Sequence, residues 1–531
     1  MDWSHYSIPA MRLESRFGDR VVPTFDSRPE NIWAMVSEAA AKNPDGEALI
    51  YDRERLTWRE VAEKSAQISA GFREIGLQPG DRVALLLGNR IEFVLAMFGA
   101  AHLGLISVLL SVRLQKPEIA YMLTDCGAKM LIYEDDLADR LPDPVDHPVL
   151  LHRVSIGASE QSLAFADLVA TEAAQAPTPV AEEDTAMILY TSGTTGKPKG
   201  AMLSHCTLIH SAMVYEACLQ MTSRDRSVAA VPLGHVTGVG ANIMALARSA
   251  GALIIMPEFR AGDFLKLASR ERITHTVMVP AMYNLCLLQA DFDRHDLSAW
   301  RIGGYGGAPM PVTTIARLAD KLPGLQLINA YGSTETSSPS TIMPPEFTRD
   351  HSDSVGLPCP GAHIVAMDSD GRELPRGEIG ELWIRSASVI KGYWNNPRAT
   401  AESFTAGYWH SGDLGSIDDN GFVRVLDRQK DMINRGGFKI YSAEVESILA
   451  GHPDVIESAV VARSCPVLGE RVHAIVVARS DIDPPVLRAW CAERLADYKV
   501  PETIAFRATP LPRNANGKVM KRDLREMMAD S

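Results

Sequence analysis

The chain has 531 residues, and one hydrophobic core stops growing at about 250–300, so at least two domains are expected. Hydrophobic residues make up 46% and charged residues 22%, a globular balance that excludes a disordered or fibrous chain. The formal net charge of −13 excludes the basic footprint of a nucleic-acid binder, so any cations that hold an anionic ligand must be local.

The N-terminal stretch MDWSHYSIPAMRLESR is charged and broken by proline, which does not read as a signal peptide. Thr57 and Glu60 make a capping box ahead of apolar Val61, Ile68, Phe72 and Ile75, and predict a helix. QPGD is a turn, RVALLLGN a short buried strand, IEFVLAMFGAAHLG a second helix and ISVLL a further strand. Strand, helix and strand at this spacing form a βαβ unit and predict a mainly parallel sheet. The stretch 170–184, ATEAAQAPTPVAEED, is small, acidic and Pro-containing, and reads as a surface connector. TAMILY is a buried strand that runs straight into a Gly/Ser/Thr-rich loop, and further α/β material is expected to about residue 400. A second boundary falls near Arg428. Beyond it, SAEVESILAG and PPVLRAWCAERLAD read as helices and VIESAVVAR and VHAIVVAR as strands, a small α+β domain. No run of about 18 apolar residues occurs, so no transmembrane segment is expected. The seven cysteines form no CxxC pair, which fits reduced thiols in a cytoplasmic protein, monomer or homodimer.

Five segments carry chemistry. In YTSGTTGKPKG, Thr191, Ser192, Thr194 and Thr195 supply hydroxyls, Gly193 and Gly196 permit close backbone approach, and Lys197 adds charge, a composition suited to phosphate oxygens. It is not a Walker A loop, because Pro198 follows Gly196-Lys197 where Ser or Thr would be needed. A flexible surface turn is the plain alternative, and the preceding buried strand argues against it. In NAYGSTETS, Tyr331 offers a stacking face, Gly332 leaves space beside it, and Glu335 can ligate Mg²⁺, which takes one or two carboxylates with phosphate oxygens. YWHSGDLG holds Asp413 in a Gly-flanked turn, where a carboxylate can accept both hydroxyls of a ribose; an Asx-turn is the plain alternative. DRQKDMINRGGFKIYSAEVE sets Arg428, Lys430 and Lys439 around Gly436-Gly437, and NANGKV places Lys518 near the C-terminus; an exposed basic hairpin and a solvated lysine are the plain alternatives. GGYGGAPM lacks the third glycine of a dinucleotide fingerprint.

In this order and spacing, the five segments resemble the core motifs of the adenylate-forming superfamily, which includes acyl- and aryl-CoA synthetases, luciferases and peptide adenylation domains. The resemblance covers nearly the whole chain. It implies an α/β fold with a large multi-subdomain N-terminal adenylate-forming domain and a small mobile α+β C-terminal domain. Residues 1–427 would bind ATP and the acyl group, 428–430 would be the hinge and 431–531 the mobile domain. It implies a carboxylic acid attacking the α-phosphorus of ATP, with Mg²⁺, to give an acyl-adenylate, and coenzyme A then taking the acyl group. ATP, Mg²⁺ and coenzyme A are thus the implied cofactors, and a small-molecule carboxylic acid the partner.

Residue by residue, the resemblance assigns Thr191 to Lys197 to the β- and γ-phosphates and Thr191 with Glu335 to the metal. Gly307, Ala308 and Pro309 would line the adenine with Tyr331 and the neighbouring Gly332, Ser333 and Thr334. Asp413 and Arg428 would hold the ribose, and Lys518 the carboxylate and α-phosphate. Lys430 would be the pivot, Gly436 and Gly437 would line the thiol tunnel, and Lys439 would serve the thioester-forming state. His235 in PLGHVTG matches the gate aromatic of CoA synthetases, next to an acyl site that Gly304, Gly307 and Gly332 would border. The absence of the aspartate that peptide adenylation domains carry there argues against an amino-acid substrate. Acetyl-CoA synthetases place tryptophan at the Gly332 position. Glycine there, with Gly303, Gly304, Gly306 and Gly307, implies a roomy pocket for a medium-chain, aryl or alicyclic acid. One departure stands out: many relatives carry lysine where this chain has Asn434, and Arg435 or Lys439 would have to compensate. Three other functions share these motifs. No fused carrier domain is expected after Lys518, which leaves loading of a separate carrier-protein thiol. A light-emitting oxidase would need oxygen, and a nucleotide-binding protein with dead chemistry fits poorly with intact Glu335 and Lys518.

Overall fold

The computed structural model describes residues 3–147, 149–157, 162–169, 176–191, 197–308, 310–514 and 519–529. Ser192 to Gly196, Pro309 and Lys518, named above, lie outside the described residues, as do 170–175 of the connector. Thr57 accepts from the Glu60 backbone while the Glu60 carboxylate takes the Thr57 N–H, and the helix Trp58–Glu74 starts where the capping box predicts. Its apolar face lies on the helix Ile91–Leu103, which is buried on all sides. Gly99 makes that approach possible, since a Cβ there would stand 2.9 Å from the Ser65 carbonyl oxygen.

Arg82–Leu86 and Ile106–Leu110 pair in parallel, as the βαβ reading requires. Among the described residues they sit in a seven-stranded sheet that reaches Thr185–Thr191 and then, antiparallel, Lys199–Ser204. A second, nine-stranded sheet is parallel through its centre and includes Ile302–Tyr305 and Gln326–Tyr331 side by side. Both pack on a common apolar core that takes in Phe93, Val94, Leu109, Leu189, Leu208 and Ile328.

Beyond residue 357 the chain departs from the expected α/β pattern. His363–Met367, Gly380–Arg385, Tyr408–Ile417 and Val423–Arg428 form an antiparallel sheet. Its period-two burial, strict in GELWIR, is that of a sheet covered on one face. The N-terminus forms a hairpin, Met11–Arg16 with Arg20–Phe25, that composition did not suggest. The connector is tied down: Glu182 receives Arg28 at 2.7 Å and Arg16 at 2.8 Å, and the Thr178 N–H reaches the His102 carbonyl.

The C-terminal region has its own core of Ile433, Ile440, Val445, Leu449, Val472 and Leu487, between its sheet and helices. The expected helices appear as Ser442–Ala450 and Pro484–Ala492, and the strands as Val455–Cys465 and Gly469–Ala478. A last helix, Lys521–Ala529, follows. Among the described residues, no helix is long and apolar enough to cross a membrane.

Candidate active site

Thr191 ends a buried strand whose antiparallel partner starts at Lys199, so the two rims of the hydroxyl-rich loop are held by a sheet. Tyr190 is anchored by its hydroxyl on Asp125 at 2.6 Å. The exit rim is pinned from one side: Lys197 Nζ lies 5.5 Å above the Tyr121 ring, and the Tyr121 hydroxyl donates to the Pro198 carbonyl at 3.1 Å.

Glu335 is buried at the foot of this loop, in the single 3-10 turn after Tyr331. Its Oε1 accepts from Thr191 Oγ1 at 3.3 Å and from the Tyr393 hydroxyl at 3.0 Å. Lys199 Nζ lies 4.6 Å over the Tyr393 ring. A buried carboxylate held by neutral hydroxyls keeps lone pairs for a hard cation. One carboxylate and one hydroxyl suit Mg²⁺, which retains waters and takes phosphate oxygens, rather than an ion needing an all-protein cage. No group of three or more His, Cys, Asp or Glu residues placed to hold a metal occurs among the described residues.

A second knot joins residues far apart in sequence. The Tyr331 hydroxyl donates to Asp413 Oδ2 at 2.5 Å, and Arg428 Nε meets Asp413 Oδ1 at 2.6 Å. Asp413 and Arg428 face each other in register on Tyr408–Ile417 and Val423–Arg428, so the antiparallel pairing places the ion pair. Burial and the Asp413 charge both hold the Tyr331 hydroxyl in its protonated form. Burial opposes the Arg428 charge, but Asp413, Tyr331, Glu335 and Asp431 together outweigh it.

His235 borders a cavity of about 90 Å³ together with Thr191, Thr334, Leu109, Met122 and Asn514. Desolvation lowers its pKa, so the ring is neutral at pH 7, and Nδ1 accepts the Thr237 N–H at 3.3 Å, which leaves the proton on Nε2. Asn514 comes from the C-terminal domain, in the segment that leads to Lys518.

The glycines do not act alike, and this corrects the expectation of a pocket widened by all of them. A Cβ at Gly306 would stand 2.4 Å from the Ala330 carbonyl oxygen, one at Gly304 3.0 Å from that of Thr276, and one at Gly303 3.1 Å from the Tyr283 hydroxyl. These three permit close strand packing and open no space. Gly332 likewise faces backbone, with Pro339 Cα 3.1 Å from the Cβ position. Gly307 alone of the group is open, with φ +76° and its nearest neighbour 3.9 Å away.

In the C-terminal domain, Gly436 and Gly437 form the tip of the hairpin Ile433–Arg435 with Phe438–Ile440, at φ +61° and +95°, where only glycine sits without strain. Asn434 has a role lysine could not fill: its Oδ1 accepts the Gly437 N–H at 3.1 Å and closes the tip. Arg435 is engaged by Glu502 at 2.6 Å, while Lys439 and Lys430 are exposed. Sequence reasoning missed Tyr393, Tyr121, Lys199 and Asn514 as parts of the site. Lys199 was within reach, since it closes the same loop motif.

The chain matches the AMP-binding enzyme family over residues 36–394 and the AMP-binding enzyme C-terminal domain over 444–518, and it belongs to that family. It is an AMP-forming acid–thiol ligase. It is 34% identical to a feruloyl-CoA synthase from Amycolatopsis sp, across 92% of this chain and 96% of that one. It is 33% identical to the long-chain-fatty-acid–CoA ligase FadD13 of Mycobacterium tuberculosis, across 94% and 98%. A solved structure of the anthranilate CoA ligase AuaEII with anthranoyl-AMP superposes with a TM-score of 0.89 at 27% identity, covering 95% of this chain and 99% of that one.

Proposed function

We propose that the protein joins a medium-chain, aryl or alicyclic carboxylic acid to coenzyme A, with aryl acids the first to test. The names of the feruloyl-CoA synthase and of the anthranilate ligase point to aryl acids. The observation that carries the reading is that Asn514 borders the same cavity as Thr191, Thr334 and His235. Asn514, which precedes Lys518 in the chain, thus brings the C-terminal domain to the cavity that Thr191 and His235 border.

In this reading, Asp413 accepts the ribose hydroxyls and Arg428 fixes Asp413. The Tyr331 ring takes one adenine face and Gly307-Ala308-Pro309 the other. Thr191 to Lys197, with Ser192, Gly193, Thr194, Thr195 and Gly196 between, hold the β- and γ-phosphates. Thr191 and Glu335 hold Mg²⁺, which neutralises phosphate charge when bound. Lys518 orients the acid carboxylate against the α-phosphorus, a step in which catalysis is mainly positioning and charge neutralisation. A neutral His235 gates the acyl side without adding charge. Residues 428–430 are the hinge that exchanges Lys518 for the Gly436-Gly437 tip and Lys439, so that the thiol reaches the acyl-adenylate.

The test is pyrophosphate release with ATP, Mg²⁺ and aliphatic, benzoic, cinnamic and alicyclic acids, each with and without coenzyme A. Turnover that needs coenzyme A with one of these acids is expected. Exchange with no coenzyme A-dependent turnover would overturn coenzyme A as the acceptor.

A further inference from the structure

The hinge is bracketed by two acidic residues, Asp427 bound by Ser442 and Asp431 bound by Arg525 of the last helix. Asp427 is the last residue but one of Val423–Arg428, on the large-domain side, and is buried. Its Oδ2 accepts both the backbone N–H and, at 2.7 Å, the hydroxyl of Ser442, the first residue of the helix Ser442–Ala450 on the other side of the hinge. Its Oδ1 accepts the Arg428 N–H at 2.7 Å. The Ser442 hydroxyl in turn accepts from Lys521 Nζ at 2.6 Å, and Lys521 pairs with Glu446 at 2.7 Å. Four residues on, Arg525 reaches Asp431 at 2.6 Å, just past the pivot. Lys521 opens the last helix, three residues after Lys518.

We infer that Asp427, through Ser442 and Lys521, is a latch that holds the C-terminal domain with Asn514 at the cavity bordered by Thr191 and His235. This rests on the proposed two-state hinge. Asp431, Arg525, Ser442, Glu446 and Lys521 all belong to the moving body and keep their contacts when it turns. Asp427 belongs to the fixed body. Its two bonds to Ser442 cross the pivot, so they belong to one of the two states. A contact made in one state alone shifts the balance between states by its full strength. Asp427 acts through Ser442, so it is a positioning residue.

Asp427→Asn and Ser442→Ala test the latch. For each, acid-dependent ATP–pyrophosphate exchange is measured beside thioester formation from supplied acyl-adenylate. Loss of a bond to a buried carboxylate lowers the ratio of the first rate to the second by about tenfold. A merely structural role would lower both rates together, and that result, or an unchanged ratio, overturns the latch. Trypsin cleavage after the exposed Lys430 is the readout that needs no substrate. It should quicken in both variants, and an unchanged rate counts against the latch. Failure of the parent to adenylate any acid counts against the ligase reading alone.

Discussion

Asp413→Asn is the sharpest test of the nucleotide site. The carboxylate is 4% exposed, with Arg428 at 2.6 Å on one oxygen and the Tyr331 hydroxyl at 2.5 Å on the other. The amide keeps the shape and one acceptor but loses the charge. A hydrogen bond to a charged group contributes about 1.5–3 kcal/mol. One ribose contact is lost and the other weakened, so the loss is about 2–4 kcal/mol, or roughly 30- to 1000-fold in kcat/KM for ATP. Steady-state pyrophosphate release at saturating acid and coenzyme A, with ATP varied, gives that figure. The same assay with 2′-deoxy- and 3′-deoxy-ATP closes a double-mutant cycle. The parent should lose activity with each analogue, and the variant should lose little more. If the variant keeps kcat/KM for ATP within about threefold, or the analogue penalties persist in it undiminished, Asp413 does not hold the ribose. Arg428 loses its partner in this variant, so a lower melting temperature is expected, and the rates belong at a temperature where both proteins are folded.

Lys518→Ala should abolish adenylation and spare thioester formation from supplied acyl-adenylate, whereas Lys430→Pro should do the reverse by fixing φ at the pivot; equal loss of both halves in either variant refutes the division of labour. Burial holds His102, His205, His210 and His275 at about 4. Their unfolded pKa is about 6.5, so between these values the unfolded chain binds protons that the folded chain refuses, and each histidine removes up to about 1.4 kcal/mol of stability per pH unit as pH falls. The melting temperature should therefore drop from pH 7 to pH 5, and a flat profile refutes this. Glu14, held down at about 2 by Arg12, Arg28 and Arg16 against the pull of burial, adds stability that is lost only between its unfolded value, about 4.3, and about 2, and does not contribute in that window. Gly306→Ala should cost about 2–4 kcal/mol, because its Cβ would lie 2.4 Å from the Ala330 carbonyl oxygen; a melting temperature equal to the parent's contradicts that crowding.

The elements legible in the sequence were those whose signal is local. The capping box at Thr57 and the apolar spacing behind it fix a helix without help from the rest of the chain. The five loops were legible because glycine, hydroxyls and lysine packed into a few residues have few other uses. What escaped depended on partners distant in sequence. Tyr331 and Asp413 are 82 residues apart and lie in different sheets, and Arg428 meets Asp413 only through the register of two strands. Asn434 read as a missing cation until the Gly437 N–H was found on its side chain. The glycines of GGYGGAPM read as open space because a sequence does not say what faces a missing Cβ. At Gly303, Gly304 and Gly306 it is protein, and at Gly307 it is open space.

The proposed nucleotide site and the proposed latch meet at adjacent residues, Arg428 and Asp427, and this ties the occupant of one to the state of the other. The Arg428 side chain holds Asp413, its backbone N–H holds Asp427, and Lys430 lies two residues on. A nucleotide whose ribose loads Asp413 restrains Arg428, and through it the peptide on which Asp427 reaches Ser442. The coupling must be reciprocal, so the latched state should bind nucleotide more tightly than the released one. AMP should therefore slow trypsin cleavage after Lys430 in the parent enzyme and protect Asp427→Asn less. The protection should also weaken with 2′-deoxy-AMP, which has lost one of the hydroxyls that Asp413 accepts. Equal protection of parent and variant by AMP would mean that the nucleotide shields the hinge by covering it, and that Asp427 plays no part in carrying its effect.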